Sequence, residues 1–403
     1  MTRAPLTRGA WIVAAATVAW HLATATIYSY HRDELYYLAS GRRMAWGYAD
    51  HPPLTPLLYR VGDRLFGSSL LGLRVMPALL HGVIVLLTAL LARELGGSAR
   101  AQFVAALGAA VAPMFLSLGH FLGTVTAEVA LWAPNLLWQA QRGWPQLTLS
   151  AHIRNYAQGV LTAPYQFVLL GVVSGMLALP GLLWLLRNPA AHRFRSLGIA
   201  FVAIVVLVTL TGGKPYYAGV FGPVLIAAGA AAGAGPAGRL LPILLVGTGL
   251  VIAPFAQPLL PVATANVVRG LNQEVGEMLG WPHLVDVVAG VYRHHPGATI
   301  FTANYSEAAS IEVLGRARGL PQPVSGHNGY WWWGHPHGRS DVTVAVGFPR
   351  RYLEERFGRV ELAATFHSPG GVHNMEDGAG VFVCRDQRAD WDTLWSTRIK
   401  HIE

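Results

Sequence analysis

Apolar residues in this chain come in long blocks separated by short polar stretches. The blocks fall at residues 10–28, 70–91, 102–118, 165–186, 197–211, 218–234 and 240–260. A helix rises about 1.5 Å per residue, and about 20 apolar residues cross a hydrocarbon core roughly 30 Å thick. Each block is therefore expected as a spanning helix, about seven in all. The run at 129–138 is short, and the amphipathic segment 141–163 follows it directly. This pair is expected to be re-entrant or interfacial. From residue 262 the apolar runs shorten and charge density rises. Helical patterns at 267–295, 306–318 and 349–357 alternate with strand patterns at 298–304, 341–348, 360–366 and 380–385, which predicts a small α/β domain. The expected architecture is a multi-pass α-helical membrane domain over 1–261, with a first outer loop at 29–69, followed by an extracytoplasmic α/β domain over 262–403.

Charge supports this reading and orients it. Only 13% of residues are charged, against about a quarter in a soluble domain. The net charge of +9 is almost all arginine, lysine occurring only at Lys214 and Lys400. Arg3, Arg8, Arg93, Arg100, Arg187, Arg193, Arg195 and Arg239 fall in the loops that alternate topology places inside. The positive-inside rule accounts for them, so basicity here does not indicate nucleic acid. The N-terminus is expected in the cytoplasm, the first helix is read as retained, and the C-terminal domain lies outside a cell (plasma) membrane. The single cysteine, Cys384, excludes an intrachain disulfide and a CxxC metal motif, and is expected to be a packed core residue.

Candidate chemistry collects in the first outer loop, HRDELYYLASGRRMAWGYADHPPL, residues 31–54. Asp33 and Glu34 are adjacent. Asp50 and His51 precede Pro52-Pro53, whose rings stiffen the backbone and fix the direction of both side chains. A carboxylate at a membrane boundary can act as general base on a hydroxyl or hold a divalent cation. The plain alternatives are a solvated acid pair and a rigid turn before a helix. The segment around Tyr36 and Tyr37 looks amphipathic and suited to lying in the interface.

These motifs resemble glycosyltransferase family 39, the polyprenyl-phosphate-sugar-dependent transferases of the GT-C fold, to which protein O-mannosyltransferases and aminoarabinose lipid A transferases belong. The resemblance rests on the acidic pair after the first span, the GYADHPPL turn, TVTAEVALW (124–132), PNLLWQAQRGWPQL (134–147), GGKPYY (212–217), TANYSEA (302–308) and SGHNGYWWWG (325–334). It implies a membrane glycosyltransferase in which Asp33 is the base that activates the acceptor, or a ligand of a divalent cation with Glu34, and Asp50 supports the chemistry. It also implies that His51, Arg74 and Lys214 face the donor lipid phosphate. Glu128, Tyr36, Tyr37, Tyr216 and Tyr217 would line the substrate cavity. The implied donor is a polyprenyl-phosphate-linked sugar, and the acceptor a glycan, lipid or protein. TVTAEVALW runs straight into PNLLWQ, where relatives carry further helices, so about four central spans of the GT-C pattern are missing.

Several of these residues have bland alternatives. Lys214 with its tyrosines can be an interfacial anchor, and Arg74 can snorkel or pair with a loop acid. In the outer domain, His327, Asn328, Tyr330, Trp331 and Trp332 are candidates for acceptor or sugar contact, or for packing against the membrane part. The spacing of His327, His335 and His337 matches no zinc signature. Two other functions compete with the enzyme: a non-catalytic, degenerate relative that binds a lipid-linked sugar or scaffolds a partner, and a transporter. A transporter should carry charged or interrupted helices near mid-membrane, whereas the ionisable residues here gather at the outer ends.

Overall fold

The computed structural model describes residues 5–121, 132–153, 161–233, 239–270, 272–397 and 399. The chain is mostly helical, with one sheet near its C-terminus. It divides into two compact units. One comprises Met1–Ile27, Leu71–Thr126 and Ser150–Leu259; the other comprises Tyr28–Leu70, Ala127–Leu149 and Leu260–Glu403.

Among the described residues, two helices are long and apolar enough to cross a membrane, Leu70–Glu94 and Pro189–Thr211. The shorter apolar helices are Ala99–Val111, Val172–Arg187, Gly222–Ala232 and Leu241–Ala256. Two expected spans are interrupted. The block at 102–118 breaks at Ala112, which is extended because Pro113 follows it and begins the helix Pro113–Leu118. The block at 165–186 breaks at Gly171, whose φ of 76° ends the Thr162–Leu170 helix. The core is built from small residues. Gly181 and Gly229 let the Val172–Arg187 and Gly222–Ala232 helices approach so closely that a Cβ on either would run into the other's backbone.

A buried polar chain also ties this unit together. Trp20 Nε1 donates to Gln257 Oε1 at 2.6 Å. Gln257 Nε2 donates to Leu116 O at 3.0 Å and to His21 Nδ1 at 2.9 Å. His81 Nε2 lies 3.2 Å from Ala109 O, a pure acceptor, so His81 carries its proton there and its Nδ1 accepts from His21 Nε2 at 2.8 Å. One consistent set of neutral tautomers satisfies every step, so this polar chain buries no charge.

The second unit carries a five-stranded sheet in the order β2-β1-β3-β5-β4. Its strands are β1 (Thr299–Thr302), β2 (Val324–Ser325), β3 (Thr343–Val346), β4 (Phe357–Thr365) and β5 (Gly380–Gln387). β1 pairs in parallel with β2 and β3, while β5 runs antiparallel to both β3 and β4. The helix Tyr305–Leu314 makes the crossover from β1 toward β2. Phe301, Phe348, Phe357, Phe382, Trp391 and Trp395 dominate the core, and Cys384 is packed among them as expected. The helix expected over 267–295 is divided into Ala265–Arg269, a 3₁₀ turn at Gln273–Met278, and Trp281–Tyr292. Gly280, at φ 90°, precedes the last of these and Pro282 starts it.

Residues 29–69 belong to this second unit and are largely helical. His31 and Glu34 close a capping box around the helix Arg32–Arg42: His31 Nδ1 accepts from Asp33 N, and Glu34 accepts from His31 N at 2.7 Å. Pro53 starts a second helix, Leu54–Phe66. The expectation that the segment around Tyr36 and Tyr37 lies in an interface is corrected. Every residue from Glu34 to Gly41 is buried, because the first helix packs between Leu54–Phe66 and Tyr305–Leu314. The amphipathic helix is Leu54–Phe66, whose Leu57, Val61 and Leu65 are exposed along one face.

Candidate active site

Asp33 sits on the first turn of the Arg32–Arg42 helix with its side chain 27% exposed. Its Oδ1 accepts the hydroxyl of Tyr305 at 2.9 Å, and Arg32 Nε lies 3.8 Å from the same oxygen. Tyr305 owes its position to a second capping box. Asn304 accepts from the amides of Ser306 and Glu307, and Glu307 Oε2 accepts from those of Ala303 and Asn304. His327 Nδ1 accepts the amide of Tyr305 at 3.3 Å. The TANYSEA motif is thus a cap that presents a tyrosine on the first helical residue.

Asp50 is held from two sides. Tyr36 donates its hydroxyl to Oδ1 at 3.0 Å, and Asn328 donates Nδ2 to Oδ2 at 3.1 Å. The turn that carries Asp50 is closed by Tyr48 N to His51 O at 3.1 Å, and Gln139 of the PNLLWQ motif donates to Tyr48 O at 2.9 Å. Burial raises the Asp50 carboxyl above its ordinary range, while His51 and the Tyr36 hydrogen bond pull it back. Burial, with the Asp50 charge beside it, puts the Tyr36 phenol well above 10; burial and Asp33 do the same for Tyr305. Both tyrosines therefore stay protonated and act as donors.

His51 is 1% exposed and its imidazole is pushed down by burial. Its Nδ1–H donates to Pro52 O at 3.2 Å, which leaves the Nε2 lone pair 3.8 Å from Asp50 Oδ1. Nε2 has no hydrogen-bond partner among the described residues. Aromatic rings fill the space between the acids: Tyr36 lies 4.7 Å from Tyr305 and 5.4 Å from His51, and Tyr37 lies 5.1 Å from His51.

The aromatic motif of the C-terminal segment is largely engaged in packing. Tyr330 donates to Glu312 Oε2 at 2.9 Å, and Glu312 Oε1 takes Arg43 at 2.7 Å. Trp331 and Trp395 exchange indole-to-carbonyl hydrogen bonds. Trp332 lies edge-on to Trp331 and 5.9 Å from Trp138. Tyr305, Glu312 and Arg43 were not singled out from the sequence; the N-x-x-E spacing of residues 304–307 is the signal that could have found Tyr305.

Arg74, Lys214, Tyr216 and Tyr217 belong to the helical unit. Arg74 is buried and donates to Ala25 O at 2.5 Å and His120 Nε2 at 3.0 Å. Lys214 is exposed, with Nζ 5.8 Å from the centre of the Tyr216 ring, and Tyr216 lies edge-on to Tyr217. Glu128 lies outside the described residues. A divalent cation fits poorly at Asp33 and Glu34, because Glu34 points its carboxylate at its own helix N-terminus. Among the described residues, no group of three or more His, Cys, Asp or Glu side chains converges as a metal cage.

Residues 50–212 match the family model described as dolichyl-phosphate-mannose-protein mannosyltransferase. That stretch begins at the Asp50-His51 turn and takes in Arg74, Glu128 and PNLLWQ; Asp33 and the sheet lie outside it. No curated protein and no solved structure matches the chain. Over residues 50–212, about two fifths of its length, the chain is thus similar to a family of membrane glycosyltransferases.

Proposed function

We propose that this protein transfers a sugar from a polyprenyl-phosphate-linked donor to an acceptor hydroxyl on the extracytoplasmic face of a membrane. The observation that carries this reading is the pair Asp33 and Asp50. Both stand on one aromatic platform in the second unit, and each accepts a protein hydroxyl. Asp33 is the more exposed of the two, at 27% against 15%, and is the proposed base.

The reaction is a direct displacement. The acceptor oxygen attacks the anomeric carbon as its proton passes to Asp33 Oδ2. The bond between that carbon and the phosphate oxygen breaks, inverting the centre, and polyprenyl phosphate leaves. A cation near the leaving phosphate would stabilise its growing charge; Lys214 and Arg74 are the cations that the family resemblance proposes for this role. The proposed topology is about seven spans with the N-terminus in the cytoplasm. A second reading, a non-catalytic relative that binds a lipid-linked sugar, is favoured by one observation: both oxygens of Asp50 already have internal donors.

The test uses membranes carrying the chain and a polyprenyl phosphate labelled in its sugar. Enzyme activity predicts loss of label from the lipid and its appearance on an acceptor, above membranes without the chain. Tight binding of the donor with no transfer supports the second reading and sinks the first.

A further inference from the structure

Building on the glycosyl-transfer reading, we infer that Asn328 and Tyr305 are positioning residues, Asn328 holding Asp50 and Tyr305 holding Asp33. The C-terminal α/β segment is then a working part of the site, and Asn328 acts on the carboxylate rather than on an acceptor sugar.

The geometry at Asp50 is specific. One donor sits on each oxygen, Tyr36 on Oδ1 and Asn328 on Oδ2. A planar carboxylate gripped this way cannot turn about its Cβ–Cγ bond without breaking a hydrogen bond. Asn328 is 1% exposed and has φ 46° and ψ −132°, one of three non-glycine residues at positive φ among those described. Strained conformations persist where the surroundings over-determine them, and they concentrate at functional sites.

The next residue shows what that conformation achieves. Gly329 N donates to the Tyr36 hydroxyl at 2.9 Å, and a Cβ on Gly329 would fall 2.7 Å from that oxygen. Two consecutive residues thus aim two donors at one assembly: Asn328 directly at Asp50, and Gly329 at the hydroxyl that holds its other oxygen. Tyr305 reaches Asp33 from the neighbouring helix start, and its ring lies 4.7 Å from that of Tyr36. Displacement needs the carboxylate lone pair aligned with the attacking hydroxyl, so a freely rotating acid is a poor base.

The experiment compares Asn328→Gly with wild type, using the purified full chain in lipid nanodiscs. Glycine keeps the unusual backbone and removes only the amide. The infrared spectrum of wild type minus Asp50→Asn isolates the Asp50 carboxylate stretch. The same difference taken in the Asn328→Gly background is expected at a shifted frequency, because one oxygen has lost its donor. Sugar transfer is expected to fall about tenfold in kcat with the donor KM unchanged, and Asn328→Gly should cost nothing further in the Asp50→Asn background. An identical Asp50 band in both backgrounds overturns the assignment, as does an equal loss of transfer with and without Asp50. A shifted band in a chain whose wild type transfers no sugar overturns the glycosyl-transfer reading and leaves the hold of Asn328 on Asp50 standing.

Discussion

The hydroxyl of Tyr305 donates to Asp33 Oδ1 at 2.9 Å across 272 residues of sequence. Asp33 lies on the first turn of the Arg32–Arg42 helix, and Tyr305 opens the helix after the first strand of the sheet. One hydrogen bond therefore ties the proposed base to the C-terminal segment. Tyr305→Phe keeps the ring contact with Tyr36 and removes only the donor. A hydrogen bond to a charged group contributes about 1.5 kcal/mol at the lower end of its range, close to a tenfold effect. We expect transfer to fall about that much, with a small loss of stability because Asp33 is partly exposed. Rates equal to wild type would show that the bond is incidental.

Arg43 and Glu312 form a second tie. Arg43 Nη1 lies 2.7 Å from Glu312 Oε1, and its guanidinium lies 4.6 Å from the centre of a Trp333 ring. Glu312 is 8% exposed. Arg43→Ala leaves that carboxylate with the Tyr330 hydroxyl and no cation, at an expected cost of about 2 kcal/mol, allowing for the partly exposed arginine. Replacing both, as Arg43→Ala with Glu312→Leu, removes the uncompensated charge and should restore part of the loss. Thermal unfolding in detergent reads both variants, and a double variant less stable than Arg43→Ala would contradict the account.

Glu376 makes stability fall as pH rises. Burial, with the charge of Glu277 added, raises its carboxyl to about 7. Its unfolded pKa is lower, about 4.3. Between these values the unfolded chain has released the proton and the folded chain retains it. The contribution of Glu376 is therefore unimpaired below the lower value, declines through the window, and levels off above about 7. The total is of the order of a few kcal/mol. Glu376→Gln should flatten this part of the pH–stability curve, and an unchanged slope in unfolding measurements would rule the explanation out.

In the helical unit, the polar chain through Gln257, His21 and His81 is expected to matter as a whole. His81→Leu leaves His21 Nε2–H without its acceptor in an apolar interior. The expected loss is about 1–3 kcal/mol. Both substitutions act on the one His21 imidazole, Gln257→Leu removing the donor to Nδ1 and His81→Leu the acceptor at Nε2, so the double variant should depart from the sum of the single losses. Strict additivity, measured by unfolding in detergent, would mean the four side chains do not act as a network.

What could be read in the sequence was mainly local. The apolar blocks, the alternation after residue 262 and all the longer strands show as periodicity, because each depends on neighbours within a turn or a strand pair. The breaks at Ala112 and Gly171 show only as Pro113 and as a glycine inside an apolar run, weak signals against hydrophobicity. The burial of Tyr36 and Tyr37 was not legible. Their polar edges look interfacial until Asp50 and the neighbouring aromatic rings are seen to enclose them. The partners of the acids were hidden for the same reason. Asp50 and Asn328 are 278 positions apart, and no pattern within either segment encodes the other. The aromatic neighbours of Asn328 leave sugar contact and packing both open, and neither points to Asp50.

The central claim is that Asp33 activates the acceptor, and one comparison tests it most directly. Membranes carrying the wild-type chain and the Asp33→Asn variant, matched for folded protein, are given the same polyprenyl-phosphate-linked labelled sugar. Loss of a general base typically costs about 10²–10⁴-fold, so the account predicts that transfer by Asp33→Asn falls by at least about a hundredfold while donor binding persists. Transfer by Asp33→Asn at the wild-type rate would contradict it.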